Sequence, residues 1–133
     1  MTLRRRNALP SGPDLVDHNR SNVTFQASKR WAEGLKNVGF DAMSLVNNHA
    51  FDCGIRGFEQ TKTALAEADV LCFGAGLNRS GAAAPAMLDV DGFKVGIIGF
   101  SFTLPVAQDV PGVAYLYDDT LDLAVDKARD EVD

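Results

Sequence analysis

The chain has 133 residues, of which 46% are hydrophobic and 23% charged, values typical of a globular protein rather than a disordered or fibrous one. A chain of this length commonly folds as one domain around a single core. Its formal net charge of −5 disfavours nonspecific binding to nucleic acid, because that binding requires clustered lysines and arginines.

Targeting signals and cysteine frameworks are not evident in the sequence. No apolar run approaches the roughly 20 residues of a membrane-spanning helix, so no transmembrane segment is predicted. Prolines and aspartates follow the basic residues 4–6, so no secretory signal is predicted either, and the location of the protein stays open. Cys53 and Cys72 match no zinc or redox spacing, and we predict two unpaired thiols.

The chain begins with residues 1–24, which show no sustained hydrophobic period, and we predict an irregular N-terminal arm there. Three apolar residues then recur at helical spacing: Trp31, Leu35 and Val38. They predict a helix over residues 28–38, with Ser28 as its N-cap and Gly39 as its C-terminal stop. We expect Trp31 to anchor the core, because large aromatic residues on helices usually do.

Strands and helices then alternate. The short apolar run at residues 42–46 predicts a strand covered on both faces. A helix over residues 55–68 follows, with one side formed by Phe58, Leu65 and Ala68. Residues 70–73 predict a second buried strand that ends at a glycine-rich turn. The order helix, strand, helix, strand implies right-handed parallel crossovers and therefore an α/β fold.

The last part of the chain predicts a hairpin, a loop and a helix. Asp91-Gly92 joins the apolar runs 85–90 and 93–100, which is a strong signal for an antiparallel pair that we expect to join the sheet. Residues 103–117 are predicted as a loop. One face of a final helix carries apolar residues: Leu121, Val125, Ala128 and Val132. Its solvated side carries five aspartates: Asp118, Asp119, Asp122, Asp126 and Asp130.

The segment Asn47-Asn48-His49 is the most informative for function, because it follows the first buried strand, where open α/β sheets place their chemistry. An asparagine amide oxygen suits divalent cations, and an adjacent imidazole can protonate a leaving oxygen or contact a phosphoryl group. Asp52 either orients His49 or caps the following helix. A purely structural strand-to-helix connection, stabilised by Asn and Asp turn chemistry, is the alternative.

Longer stretches carry a family resemblance. The stretches NVGFDAMSLVNNHAFDCGIRGF and PAMLDVDGFKVGIIGFSFT, with Gly74-Ala75-Gly76 between them, resemble the poly-gamma-glutamate capsule biosynthesis proteins called CapA. The resemblance covers residues 25–133. It implies a calcineurin-like metallophosphoesterase fold, of which residues 25–133 form the N-terminal part. The predicted fold class is therefore α/β, a partial four-layer α/β/β/α metallophosphoesterase-like sandwich with a mixed sheet.

The resemblance also implies roles for residues. Asn48 would be an amide metal ligand and His49 the catalytic residue that faces a phosphoryl group, with Asn47 and Asp52 in supporting positions. Divalent metal ions (Mn, Fe, Zn or Mg) would be the cofactors of complete relatives. The implied partners are the capsule-polymer synthesis machinery and a polyglutamate or phosphoester ligand.

Departures from the family pattern limit what this chain is expected to do alone. Residues 1–24 contain neither the Gly-Asp nor the Asn-Leu-Glu element with which the family opens, and the chain ends one helix before the family's His-Trp-Gly element. A two-metal centre needs several donors around each ion. The other histidine, His18, lies in the arm and is not expected to be a ligand. We therefore expect an incomplete CapA-like domain that is catalytically silent by itself.

Two further hypotheses remain open at this stage. The chain could be a non-enzymatic interaction module whose open sheet edge pairs with a partner chain. Nucleotide binding at Gly74-Ala75-Gly76 is the weaker one, because Gly81 falls too late for the dinucleotide fingerprint.

Overall fold

A computed structural model describes residues 2–3, 24–102, 110–116 and 119–132. Helices in these ranges are α1 (Arg30–Asn37), α2 (Gly54–Glu67), α3 (Arg79–Ala82) and α4 (Thr120–Glu131). Strands are β1 (Thr2–Leu3), β2 (Gln26–Ala27), β3 (Ala42–Ser44), β4 (Leu71–Phe73), β5 (Ala75–Gly76), β6 (Ala86–Val90), β7 (Phe93–Ile97) and β8 (Gly112–Val113). This mixture of helices and strands confirms the predicted α/β class.

The strands of the described residues form four two-stranded sheets. β1–β2 and β3–β4 are parallel, whereas β5–β8 and β6–β7 are antiparallel. The parallel β3–β4 pair confirms the predicted crossover through α2. The hairpin does not join this pair by hydrogen bonds, contrary to prediction. Both parallel strands are only three residues long, and Gly74, with φ +85°, turns the chain directly after β4.

Two strand pairs arise where no strand was predicted. Thr2–Leu3 lie in the predicted irregular arm, and Gly112–Val113 lie in the predicted loop. The loop prediction is therefore wrong at Gly112 and Val113. Val113 and its neighbour Ala114 are fully buried, and Ala114 N–H donates to Gly74 O (2.9 Å), which holds this segment beside β5. Residues 4–23 and 103–109, with His18 and also Asp118, lie outside the described residues.

The end of α1 follows its sequence signal. Gly39 has φ +93°, and its N–H donates to Lys36 O (2.9 Å), while Phe40 N–H donates to Leu35 O (3.0 Å). These two bonds form a Schellman motif, which satisfies carbonyl groups left open at a helix terminus. At the other end the N-cap prediction is wrong by one residue: Lys29, not Ser28, is the N-cap, without a side-chain cap bond, while Ser28 Oγ accepts from Arg30 N–H (3.4 Å). The predicted glycine stop is confirmed.

The buried face of α1 differs from the predicted one. Ala32 is fully buried, whereas Trp31 is 60% exposed and Val38 is 73% exposed. The prediction that Trp31 anchors the core is therefore wrong. Helical spacing correctly indicated a helix but not its rotation, because a small residue such as alanine contributes little to a hydrophobic pattern while allowing close packing.

α2 supplies the centre of the core, as predicted. Phe58 is 1% exposed and stacks on Phe51, with ring centroids 4.5 Å apart. Leu65 is 3% exposed. The other buried members of this cluster are Ala32, Leu45, Ala50, Ala64, Val70, Ala75 and Val113. Strand coverage is thinner than predicted, because Ser44 and Leu71 are exposed.

The β6–β7 hairpin is confirmed with its predicted turn. Val90 pairs with Phe93, and Asp91 (φ 54°) and Gly92 (φ 84°) both have the positive φ of a type I′ turn. Asp89 Oδ1 accepts from Gly92 N–H (3.0 Å). The local sequence therefore determines both the turn and the register of this pair.

α4 packs against the hairpin and α3 through a face that overlaps the predicted one but is rotated from it. Val125, Ala128 and Val132 are partly buried, as predicted, whereas Ala124 is fully buried and Leu121 is 36% exposed. Lys127 Nζ donates to Ser80 O (3.0 Å) and Ser80 Oγ (2.8 Å), which ties α4 to α3. The exposure predicted for the described aspartates of α4 is confirmed for Asp122, Asp126 and Asp130. No helix within the described residues is long and apolar enough to span a membrane.

Three chain segments meet where β3 and β4 end. A Cβ placed on Gly74 would lie 2.0 Å from Val46 Cγ2, and one placed on Gly99 would lie 2.9 Å from the same methyl group. Glycine is favoured at Gly74 by its φ of +85° and by the nearby Val46 side chain, and at Gly99 by the nearby side chains of Val46 and Phe73. This contact fixes the position of Val46 and therefore the start of the turn that follows it.

We predict opposite effects for alanine at two glycines. Gly74→Ala should lower the free energy of unfolding by roughly 2–5 kcal/mol, through its positive φ and the clash with Val46. Gly34→Ala, in the interior of α1 with no atom within 4 Å of the added Cβ, should raise it by roughly 0.5–1 kcal/mol. Urea unfolding measures both, and a Gly74→Ala variant as stable as wild type would contradict the packing described.

Candidate functional site

The turn after β3 carries the residues singled out from the sequence. Asn47 Oδ1 accepts from His49 N–H (2.9 Å), and Asn47 O accepts from Ala50 N–H (3.3 Å). Its side chain therefore shapes the turn through a local Asx bond. The amide oxygen of Asn47 is thus directed at the backbone, whereas the side chains of Asn48 and His49 lie next to each other.

His49 is oriented by Asp52. Its Nδ1 lies 2.9 Å from Asp52 Oδ2, and the Asp52 side chain is 1% exposed, compared with 24% for His49. Of the two contacts considered for Asp52, the structure shows the one with the imidazole of His49. α2 begins after Cys53 without a side-chain cap. A carboxylate acceptor at Nδ1 favours the tautomer that carries its proton there, which leaves Nε2 with a lone pair.

A distant residue completes this arrangement. Phe25 N–H donates to Asp52 Oδ2 (2.8 Å), the same oxygen that faces His49 Nδ1. The Phe25 ring also meets the imidazole edge to face, with centroids 4.6 Å apart and planes at 88°. Nothing in the sequence around Phe25 signals this contact, because the partners are 27 positions apart.

The predicted metal ligand Asn48 lies beside the outer nitrogen of His49. Asn48 Nδ2 is 3.4 Å from His49 Nε2, and Asn48 is exposed to solvent. The oxygen and nitrogen of an amide exchange positions by rotation of the side chain, so either can face the same space as the imidazole. The structure therefore brings together Asn48 and His49, one amide and one imidazole.

These residues fit a divalent metal only in part. Within the described ranges, no group of three His, Cys, Asp or Glu side chains is placed to hold a metal ion. Asn48 and His49 offer two donors, whereas a dinuclear centre requires several for each ion. The imidazole–carboxylate pair is nevertheless the arrangement that commonly supports a metal-binding histidine. His18 lies outside the described residues.

The cysteines and the glycine-rich turn take structural positions. Neither Cys53 nor Cys72 forms a disulfide within the part of the chain that the structure describes. Burial raises the pKa of the Cys72 thiol, and nearby Lys62 opposes this only in part. Gly76 belongs to strand β5, and a Cβ there would lie 2.3 Å from Ala82 N. The second glycine of the turn therefore lies in a strand packed against α3 rather than opening a phosphate-binding helix, which disfavours the nucleotide hypothesis.

Comparison with known proteins decides the family. The sequence profile described as Bacterial capsule synthesis protein PGA_cap matches residues 12–132. The chain belongs to this family. The resemblance drawn from the Asn47-Asn48-His49 segment is thereby confirmed. Site roles within the family are a separate question, because a family match does not assign individual residues.

Similar proteins show how much of a relative's length this chain spans. It is 29% identical over 113 residues to Capsule biosynthesis protein CapA of Bacillus anthracis, a match that covers 82% of this chain and 28% of that protein. It is 33% identical over 64 residues to Uncharacterized protein y4sH and Uncharacterized protein y4uA of Sinorhizobium fredii, covering 48% of this chain and 14% of each. The chain therefore spans less than a third of these relatives.

We predict that the buried carboxylate of this family member contributes to stability. Asp52→Ala removes the acceptor of both Phe25 N–H and His49 Nδ1, and should lower the free energy of unfolding by roughly 1–3 kcal/mol. The matched control Asp122→Ala, on the exposed side of α4, should change it by less than about 0.5 kcal/mol. Urea unfolding separates the two variants, and equal effects would contradict the assigned bonds.

Proposed function

We propose that Asn48 and His49 form the amide–imidazole corner of a divalent-metal centre in a metallophosphoesterase-like capsule synthesis protein. The observation that carries the proposal is the 2.9 Å contact between His49 Nδ1 and the buried carboxylate of Asp52. Such a carboxylate fixes the tautomer and orientation of an imidazole whose other nitrogen then meets a metal or a substrate. A purely structural turn has no need of an imidazole held in this way.

His49 and Asn48 would have different roles at this corner. With Nδ1 held by Asp52, His49 Nε2 can accept a hydrogen bond, or donate one to a phosphoryl oxygen when protonated. Asn48 would contribute its amide oxygen, a neutral hard donor suited to Mn, Fe, Zn or Mg. When bound, such an ion would supply Lewis-acid stabilisation of charge on a phosphoryl oxygen. The residues of this chain would orient the donors.

Two donors do not complete the centre. The described residues bring no further His, Cys, Asp or Glu cluster to the corner, so we propose that other segments or another chain contribute the remaining ligands. By this proposal the 133-residue chain alone is a catalytically silent part of a longer CapA-like arrangement. Its ligand would be a polyglutamate or phosphoester, and its partners the capsule-polymer synthesis machinery.

An interaction module is the second candidate, favoured by the exposed hairpin. Within the described residues β7 pairs only with β6, and Phe93 is 75% and Val95 41% exposed. An apolar edge strand of this kind is a surface to which a partner chain can add a strand. Loss of partner binding on Val95→Lys, with Asn48→Ala and His49→Ala binding normally, would favour this candidate over the metal corner.

We predict that Mn²⁺ binds weakly at the corner of the isolated protein. Mn²⁺ should selectively broaden the NMR signals of the Asn48 side-chain amide and the His49 ring. Asp52→Asn should weaken this binding by about 10- to 100-fold, because the imidazole loses its charged orienting partner. Asn48→Ala should weaken it as well, whereas the matched amide control Asn37→Ala, exposed at the end of α1, should not.

Two results would contradict the proposal in different ways. If Mn²⁺ does not selectively broaden the NMR signals of Asn48 and His49, the corner is not a metal site. Tight binding of two metal equivalents, with cleavage of a phosphate ester that His49→Ala abolishes, would mean that the chain is complete by itself.

A further inference from the structure

We infer that Phe25 is a positioning residue of the corner: its backbone N–H and its ring together hold Asp52 and His49 in the orientation that directs Nε2 toward Asn48. The inference rests on the proposed function, which gives that orientation its purpose. It adds a residue that lies outside the Asn47-Asn48-His49 segment and that has no donor atom for a metal in its side chain.

The backbone of Phe25 fixes the carboxylate. Its N–H reaches Asp52 Oδ2 at 2.8 Å, and His49 Nδ1 reaches the same oxygen at 2.9 Å. An oxygen that accepts two N–H groups from different directions cannot rotate away from one without losing the other. The Asp52 side chain is 1% exposed, so water does not readily replace either donor.

The ring of Phe25 fixes the imidazole. The two ring centroids are 4.6 Å apart at an angle of 88°, the edge-to-face arrangement that aromatic pairs prefer. Phe25 is 48% exposed and does not belong to the hydrophobic clusters of the described core. Among the described residues, the aromatic contact of the Phe25 ring is the one with His49.

The two contributions of Phe25 can be separated experimentally. Phe25→Leu retains the N–H donor and an apolar side chain of moderate size but removes the aromatic ring. Phe25→Tyr retains both the donor and the ring. If the ring holds the imidazole, Phe25→Leu should change the orientation and the tautomer population of His49, and Phe25→Tyr should not. If Phe25 is only a structural apolar residue, both variants should leave His49 as it is in the wild type.

The experiment reads the tautomer of His49 in metal-free, ¹⁵N-labelled 133-residue protein at about pH 8, where an ordinary imidazole is neutral. Long-range ¹H–¹⁵N correlation distinguishes a protonated Nδ1 from a protonated Nε2. The His49 signals are assigned by their loss in His49→Gln. Phe102→Leu, which alters another phenylalanine that is 71% exposed, is the matched control.

We expect the wild type, Phe25→Tyr and Phe102→Leu to hold the proton at Nδ1, with cross-relaxation between the Phe25 ring, or the tyrosine ring, and the imidazole. Phe25→Leu should lower the Nδ1-protonated population by at least about twofold while the backbone amide spectrum stays that of a folded protein. Phe25→Met is the second variant should leucine prevent folding, and the same shift is expected for it.

An unchanged His49 tautomer in folded Phe25→Leu or Phe25→Met would overturn the inference, as would a wild-type imidazole protonated mainly at Nε2. Failure of the proposed function looks different. If the tautomer responds to Phe25 but Mn²⁺ leaves the corner untouched, the positioning role stands and the metal proposal falls. If Mn²⁺ binds at the corner but the His49 tautomer population is the same with and without the Phe25 ring, the positioning role is wrong and the metal proposal stands.

Discussion

The Asp52 side chain is 1% exposed, and a carboxyl group so far from water needs hydrogen-bond donors to replace its hydration. Two contacts of this kind come from the residue before β2, through Phe25 N–H, and from the β3–α2 turn, through His49 Nδ1. One buried oxygen thereby joins two distant segments and also determines how the imidazole faces outward. The candidate site depends on this constraint more than on any other contact.

The strand ends provide the frame in which that constraint operates. Gly74 and Gly99 leave room for the Val46 side chain directly after β3, where an added Cβ would force that side chain to shift. The Asx bond of Asn47 then turns the backbone within three residues, and Asn48 and His49 emerge side by side. The chain belongs to the capsule synthesis family, and within the described residues no cluster of three His, Cys, Asp or Glu side chains could hold a metal ion. The proposed metal centre therefore needs donors beyond Asn48 and His49.

Local signals were predictable from the sequence, and contacts between distant segments were not. Gly39 and Asp91-Gly92 specify backbone conformations that few other residues adopt, so the end of α1 and the hairpin followed directly. Helical periodicity indicated α1 and α4 but not their rotation, since the fully buried positions are Ala32 in α1 and Thr120 and Ala124 in α4. At the site, the Asn-Asn-His motif identified Asn48 and His49, whereas Phe25 is visible only once the chain has folded.

The central claim is that Asp52 joins the segment before β2 to the turn that carries His49. Detection of the hydrogen bond between Phe25 N–H and the Asp52 carboxylate tests it most directly. NMR detects the scalar coupling between the ¹⁵N nucleus of a donor and the ¹³C nucleus of its acceptor across a hydrogen bond. We expect a resolved coupling between Phe25 ¹⁵N and Asp52 ¹³Cγ. Its absence, in spectra that resolve the corresponding couplings along α2, would contradict the assignment of Asp52 as the group that holds the site together.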